Sequence, residues 1–334
     1  MRLIRHCHEV PPSLRGMVIA LGNFDGVHRG HRAVIGAALD QARSMGRAAA
    51  VMTFDPHPRR YFRPDLPPFA LSSLRQKVRL IGETGVDLLC VLRFGQALAG
   101  LKAEDFVDTV LVRDLGVSGV VVGDDYAFGK GRAGDVTLLR TLAASRGFSV
   151  TSVAPVCMPD GTICSSTAVR EALMAGDVEG ATAFLGRPWE LEGRVCRGQA
   201  RGRVLGFPTA NVDPGARTRP ARGVYAVRAG LDHDGETRWY DGVANYGTRP
   251  TFGMTDDVLE VHLLDMNRDL YGQRLRVQLL GRIRPEQAFS GPDALKARIA
   301  ADIDAARIIL ARGAVNHTAC PCCCTLFAEY RIRP

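Results

Sequence analysis

No run of about 18 apolar residues occurs anywhere in the chain, so no segment reads as a membrane span. The opening residues, Met1-Arg-Leu-Ile-Arg-His-Cys-His8, lack a signal-peptide core before Pro11 and Pro12. These absences point to a cytoplasmic protein with no membrane partner. Lysine is scarce: Lys77, Lys102, Lys130 and Lys296 are the only four among 43 basic residues. The net charge of +8 is not gathered into blocks, nor interleaved with aromatic residues as in a nucleic-acid-binding stripe. The arginine excess therefore reads first as genome composition and second as phosphate binding. The Rossmann fingerprint is missing. So is the P-loop: Gly123-Asp-Asp-Tyr-Ala-Phe-Gly129-Lys has one residue too many between its glycines, with Gly131 where a Ser or Thr belongs. Cys7, Cys90, Cys157, Cys164 and Cys196 are scattered like reduced thiols. Cys320, Cys322, Cys323 and Cys324 crowd into the tail, where His317 is the only other candidate ligand and no second pair has zinc-like spacing.

What is present is enough apolar sequence, 46% of 334 residues, for two cores of ordinary domain size. Apolar runs at 17–22, 48–54, 88–94, 117–123 and 149–154 predict buried strands. Helical patterns at 30–44, 72–84, 103–114 and 134–146 separate them. That alternation predicts an α/β domain whose parallel, Rossmann-like sheet is covered on both faces, with ligands at the strands' carboxyl ends. Helices at 167–175 and 179–185 lead to Gly186-Arg-Pro188, where the pattern changes. Short strands follow at 190–196, 223–231, 238–244, 258–264 and 274–282, with a hairpin connection at 232–235. They predict a small antiparallel β-barrel closed by a helix at 293–311. The expected division is 1–186, 187–311 and an unmatched cysteine-rich tail, 312–334, needed for no activity.

In the first half, Gly22-Asn-Phe-Asp-Gly-Val-His-Arg-Gly-His31 follows a buried strand and opens a helix. Unpaired N–H groups and the helix dipole attract phosphate there. Gly22, Gly26 and Gly30 allow tight turns and close approach of a ligand. His28 and His31, three apart, share one face of the first turn and can grip one phosphate. A bare H-x-x-H is as easily incidental, but the glycine frame and the strand-to-helix context favour a nucleotide site. Zinc is disfavoured without the H-E-x-x-H glutamate.

The segment resembles the H-x-G-H nucleotidyltransferase superfamily, and within it the FAD synthetase domain of bifunctional riboflavin kinase/FMN adenylyltransferases. Thr53-Phe-Asp-Pro-His-Pro58, Gly123–Gly129 and Ser165-Ser-Thr-Ala-Val-Arg170 resemble the same family. The resemblance implies ATP contacts from Gly22, Phe24 and Gly30, with His28 and His31 steadying the α-phosphate and the departing pyrophosphate. It assigns Ser165, Ser166, Thr167 and Arg170 to the triphosphate, and Asp55, Pro56, Asp125 and Phe128 to the flavin and adenine pocket. One departure stands out. The family has a basic residue two positions before the first serine of S-S-T, and here that residue is Ile163, next to Cys164. Arg170 and Arg132 are the candidate substitutes; failing them, a working kinase would sit beside an impaired adenylyltransferase.

In the second half, glycines at 193, 198, 202 and 206 alternate with arginines, the composition of a flexible flap over phosphates. Thr209 and Asn211, two apart, point to one side of an extended segment and can offer oxygen ligands to Mg²⁺. In the strand at 258–264, Leu259, Val261 and Leu263 form one face, and Glu260 and His262 the other. Glu260 either faces water or acts as general base on a substrate hydroxyl. Gly206–Asn211, Gly223-Val-Tyr225, Asn245-Tyr-Gly-Thr-Arg-Pro-Thr-Phe252, Val258–Asp265 and Asp269-Leu-Tyr-Gly272 closely resemble a riboflavin kinase domain. The resemblance makes Glu260 the base on the ribityl 5′-hydroxyl. It gives Gly193, Gly206, Thr209 and Asn211 to Mg²⁺–ATP, and Asn245 and Arg249 to the flavin. The expected reactions are riboflavin to FMN and FMN to FAD, both with ATP. The expected partners are small molecules, not nucleic acid, with self-association left open. A cytidylyl- or pantetheine-phosphate adenylyltransferase would explain only the first half. A flavin-responsive or RNA-binding regulator would show no flavin turnover.

Overall fold

The computed structural model describes residues 1–198, 202, 206–233, 236–251, 254–266 and 268–318; for 249–251, 254–256 and 313–318 it describes the backbone alone. The chain divides into two units. The first comprises Met1–Glu171, Ala183–Arg187 and Ala216–Thr218; the second comprises Ala172–Thr182, Pro188–Gly215 and the chain from Arg219.

The first unit holds the expected α/β sheet. Strands β1 (Arg2–Ile4), β2 (Val18–Leu21), β3 (Ala49–Asp55), β4 (Leu88–Arg93), β5 (Gly119–Gly123) and β6 (Ser149–Val153) lie in the order β1-β4-β3-β2-β5-β6. All pairings are parallel. Strand β1 was not expected, because three residues are too few to show a period. It gains its partner only at the sheet edge, where Ile4 lies opposite Cys90.

Alternation along each strand divides the apolar side chains between two cores. Ile19, Leu21, Met52 and Val120 join one, while Val18, Ala20, Val51 and Val121 join the other. Helices α1 (Arg29–Ser44), α2 (Pro58–Phe62), α3 (Leu74–Gly82), α4 (Gln96–Ala99), α5 (Ala103–Phe106), α6 (Val136–Arg146), α7 (Ser166–Ala175) and α8 (Val178–Leu185) follow in chain order. Helices α1 and α3 cover one face with Ile35, Ala38 and Ile81. The other face is covered by α5, by its π-wound continuation Val107–Leu115, and by α6. The sequence leaves β2 in one direction toward β3 and β4, then returns to lay β5 and β6 on its other side. The carboxyl ends of β2 and β5 therefore flank a topological switch point, the place where open α/β sheets bind ligands.

The second unit is a closed antiparallel barrel in the order β10-β11-β8-β7-β12-β9. Its strands are β7 (Trp189–Cys196), β8 (Ala210–Val212), β9 (Gly223–His233), β10 (Glu236–Thr251), β11 (Met254–Leu263) and β12 (Arg274–Arg284). Closure leaves no sheet edge unpaired, which suits a small all-β unit. Helix α9 (Pro292–Thr318) packs Ala306 and Leu310 against Val224, Ala226 and Val243. Buried Arg276 donates to both carboxylate oxygens of Glu190, at 3.0 and 3.1 Å, beneath the Trp239 ring. Among the described residues no helix is long and apolar enough to cross a membrane. The hairpin tip at 234–235 and the cysteines of the tail lie outside the described residues.

Candidate functional site

A cleft of about 1230 Å³ opens at the switch point of the first unit, lined by Gly22 beyond β2 and by Gly123 at the end of β5. His28 caps the N-terminus of α1, its Nδ1 accepting from the His31 N–H at 3.3 Å. A Cβ on Gly30 would meet the Cys164 carbonyl at 3.0 Å, so the N-terminal turn of α1 comes up against the residue leading into α7. Two positive helix ends thus converge on one cleft. The His28 and His31 rings stack at 3.6 Å, with Phe24 edge-on to His31 at 5.2 Å. Burial lowers the His28 imidazole to about 4 despite the nearby Asp25 carboxylate. Burial, with the charge of His28, holds His31 well below its usual value. Lowered in this way, both rings are neutral at pH 7. Because His28 Nδ1 accepts, its proton sits on Nε2. His31 Nδ1 is enclosed and, among the described residues, meets no hydrogen-bond partner.

The resemblance assigned residues to this cleft, and the structure sorts them. Gly22, Phe24, His28, Gly30, His31, Asp125, Phe128, Ser165, Ser166 and Arg170 line it. Thr167, Asp55 and Pro56 are outside its lining; Phe54 and His57, the neighbours of the latter two, line it instead. Ser165 caps α7 through the Ala168 N–H at 3.1 Å, and Ser166 donates to the Asp25 carbonyl at 2.9 Å. Arg170 pairs with buried Asp25 at 2.6 Å and donates to the Phe69 carbonyl at 2.7 Å. The Asp25 carboxylate also accepts from the Leu71 and Ser72 N–H groups. Arg187 donates to the Gly26 and Val27 carbonyls. Buried Lys77 donates to the Asn23 carbonyl at 2.7 Å. Asp25, Lys77 and Arg187 thus hold the glycine loop from three directions. The sequence marked none of the three, because their partners lie 46 to 161 residues away.

These histidines make stability depend on pH. Burial lowers His57 as well as His28. The unfolded chain takes up protons near 6.5, before the folded one does, so stability is full above that value and falls as pH drops toward 4. Thermal unfolding followed from pH 7 to 4 is expected to show this fall, with a shallower slope in His28→Asn.

In the barrel, register brings the expected kinase residues together. Glu260 of β11 lies opposite Asn211 of β8 on one side and Asn245 of β10 on the other. Directly opposed residues share a face, so the carboxylate and two amides form one row. Leu259, Val261 and Leu263 are buried on the other face, as their period implies. Asn245 Nδ2 lies 3.5 Å from Glu286 Oε1. His262, on the same face as Glu260, bonds the Pro208 carbonyl at 2.8 Å and meets Phe207 edge-on. It therefore fastens the segment that carries Thr209.

Gly193 does not belong to a flap. It is buried in β7, where a Cβ would lie 2.7 Å from both the Asp213 carbonyl and the Val212 side chain. Gly206, at φ +90, needs glycine for its backbone. Residues 199–201 and 203–205 and the side chain of Arg249 lie outside the described residues. His262→Ala removes one hydrogen bond, and the barrel is expected to lose about 0.5–1.5 kcal/mol of stability. Thermal unfolding of the variant checks it.

Comparison with known proteins decides what two such sites in one chain mean. Residues 10–167 match the FAD synthetase family model, and residues 185–310 match the riboflavin kinase model. The bifunctional riboflavin kinase/FMN adenylyltransferase of Escherichia coli (strain K12) is 44% identical over 304 residues, 90% of this chain and 96% of that protein. The chain belongs to that family. The Pseudomonas fluorescens member is also 44% identical, over 94% of this chain and 99% of its own. A solved structure described as a macrolide-efflux protein from Streptococcus pneumoniae has TM-score 0.81 and 31% identity, covering 92% of this chain and 98% of that one. Its fold is what this chain shares. Both halves match their family models, which favours two working activities over a kinase beside an impaired partner.

Proposed function

We propose that the first unit transfers AMP from ATP to FMN, and that the barrel transfers the γ-phosphoryl group of ATP to riboflavin. The observation that carries the first assignment is the convergence of two helix N-termini and two neutral imidazoles on the switch-point cleft. In that reaction an FMN phosphate oxygen attacks the α-phosphorus, and the bond to the pyrophosphate oxygen breaks. The nucleophile is already ionised at neutral pH, so the site needs alignment and N–H donors rather than a base. His28 Nε2–H and the helix amides are suited to that charge. Phe54, Phe62 and Phe94 line the same cleft and offer aromatic faces for a flavin ring.

In the barrel the nucleophile is a neutral hydroxyl and must lose its proton as the phosphoryl group arrives. Glu260 is the group we assign to accept it. Thr209 and Asn211 suit a hard cation, with a hydroxyl and an amide oxygen two residues apart. The backbone of Gly198 and Gly202 comes so close that a Cβ would stand 2.4 Å from Asn211 Nδ2 and 3.4 Å from Thr209 Oγ1. Mg²⁺ held there with ATP would neutralise charge on the transferring phosphate. The two activities divide after Arg187, which still ties the first unit's glycine loop, one residue later than the sequence suggests; the setting is the cytoplasm.

Incubation of the full chain with riboflavin, ATP and Mg²⁺ tests the whole reading. FMN is expected first and FAD after it, by chromatography, with both lost on chelation. Absence of FMN would overturn the barrel assignment; FMN that is never converted would overturn the cleft assignment.

A further inference from the structure

A nucleotide entering the first unit's cleft brings several negative charges, yet the groups placed there supply little positive charge. His28 and His31 are neutral. Arg170 is committed to Asp25. Lys77 lies behind the glycine loop and outside the cleft lining. Ile163, half exposed on the cleft wall, brings no charge. The lining cations that remain are Arg59, Lys130 and Arg132. Arg59 already stacks on the Phe69 ring at 5.3 Å.

The turn after β5 singles out Arg132. Its base is fastened: Phe128 and Gly134 exchange two backbone hydrogen bonds of 2.9 Å, and the Lys130 N–H donates to the Leu101 carbonyl at 2.7 Å. Gly129, at φ +74, has no room for a side chain, since a Cβ would stand 2.8 Å from the Ala103 backbone. Arg132 itself sits at φ 60, in the left-handed region that a non-glycine residue occupies only at a cost. Its side chain is exposed, and among the described residues no hydrogen bond or ion pair engages the guanidinium. Its charge nevertheless reaches the Tyr126 hydroxyl in the same wall, where it opposes the effect of burial. Among the described residues this strain is offset only by a backbone bond within the turn, from the Arg132 N–H to the Gly129 carbonyl at 3.0 Å, and no group takes up the guanidinium. A ligand in the cleft would.

The geometry points to Arg132 as a phosphate-binding residue of the adenylyl-transfer cleft, its guanidinium taking phosphate oxygens of a bound substrate. Two substrates carry that chemistry, the polyphosphate of ATP and the 5′-phosphate of FMN. The assignment rests on the reading that FAD is formed in this cleft.

Arg132→Ala and Arg132→Gly in the full chain test it, with Arg132→Lys as the conservative variant and FMN formation by the barrel as the internal control. Arg132→Gly is the sharper change, because glycine is at ease at φ 60 and removes the charge without adding strain. Both Ala and Gly are expected to raise one KM in FAD formation about 10- to 100-fold, as loss of a charge-assisted hydrogen bond does, with part restored by Lys. A rise for ATP, and for pyrophosphate in the reverse reaction, assigns the contact to the polyphosphate. A rise for FMN, with the KM values for ATP and pyrophosphate unchanged, assigns it to the flavin phosphate. Unchanged KM values for all three ligands in a working enzyme overturn the assignment alone. A wild-type chain that forms no FAD overturns the cleft reading together with it.

Discussion

Glu260→Ala is expected to lower FMN formation by about 10²–10⁴-fold, the range for loss of a general base, while supplied FMN is still converted to FAD. The argument is geometric before it is chemical. A carboxylate in the middle of an anonymous strand usually faces water. Here it stands in register between Asn211 and Asn245, on the face toward which His262 pulls the Pro208 segment. Glu260→Gln keeps the shape and the polar row but cannot take a proton, so it should lose nearly as much rate as the alanine variant. A purely structural glutamate would instead tolerate Gln, and full activity in that variant would remove Glu260 from the mechanism. Both half-reactions are measured separately, by supplying riboflavin in one assay and FMN in the other. Equal losses in the two assays would mean that the division of labour is wrong.

His28→Ala and His31→Ala should each slow FAD formation by about 10²–10³-fold and leave the kinase reaction untouched, because they remove preorganised donors from the developing charge. His28 has two jobs, which a single substitution confounds. Its Nδ1 caps α1, and its Nε2–H is the group we assign to the phosphate. His28→Asn separates them, since asparagine is among the best N-caps and lacks the imidazole. Loss of FAD formation in His28→Asn at near-normal stability is the outcome expected of a ligand. Recovery of activity with the cap would reduce His28 to a structural residue. For His31 the orphaned Nδ1 carries the argument: an enclosed polar atom without a partner costs about 1–3 kcal/mol until a ligand or another group meets it.

The chain's local patterns carried most of the fold. Five of the six strands in the first unit agree with the sequence reading to within one or two residues, and in β2 to β5 this is because helices on both faces bury most of the side chains. Strand β8 escaped notice for the opposite reason: Ala210–Val212 is three residues long, and only its neighbours β7 and β11 make it a strand. The glycine-framed histidines, Glu260, Asn211 and Asn245 were legible because each sits in a local motif.

By itself, the sequence determined the two domain types, the helix-opening phosphate loop and the side chains available for chemistry, since these depend on periodicity and on residues close in the chain. Only the tertiary structure decided how those side chains are used. It committed Arg170 to Asp25, turned Ser165 and Ser166 into a cap and a tether, put Phe54 and His57 on the cleft wall in place of Asp55 and Pro56, and moved Gly193 from flap to packed strand. Each of these outcomes turns on a partner or a packing surface supplied by a different element. A pattern read along the chain carries no information about which distant group will satisfy a buried charge or fill the space beside a glycine.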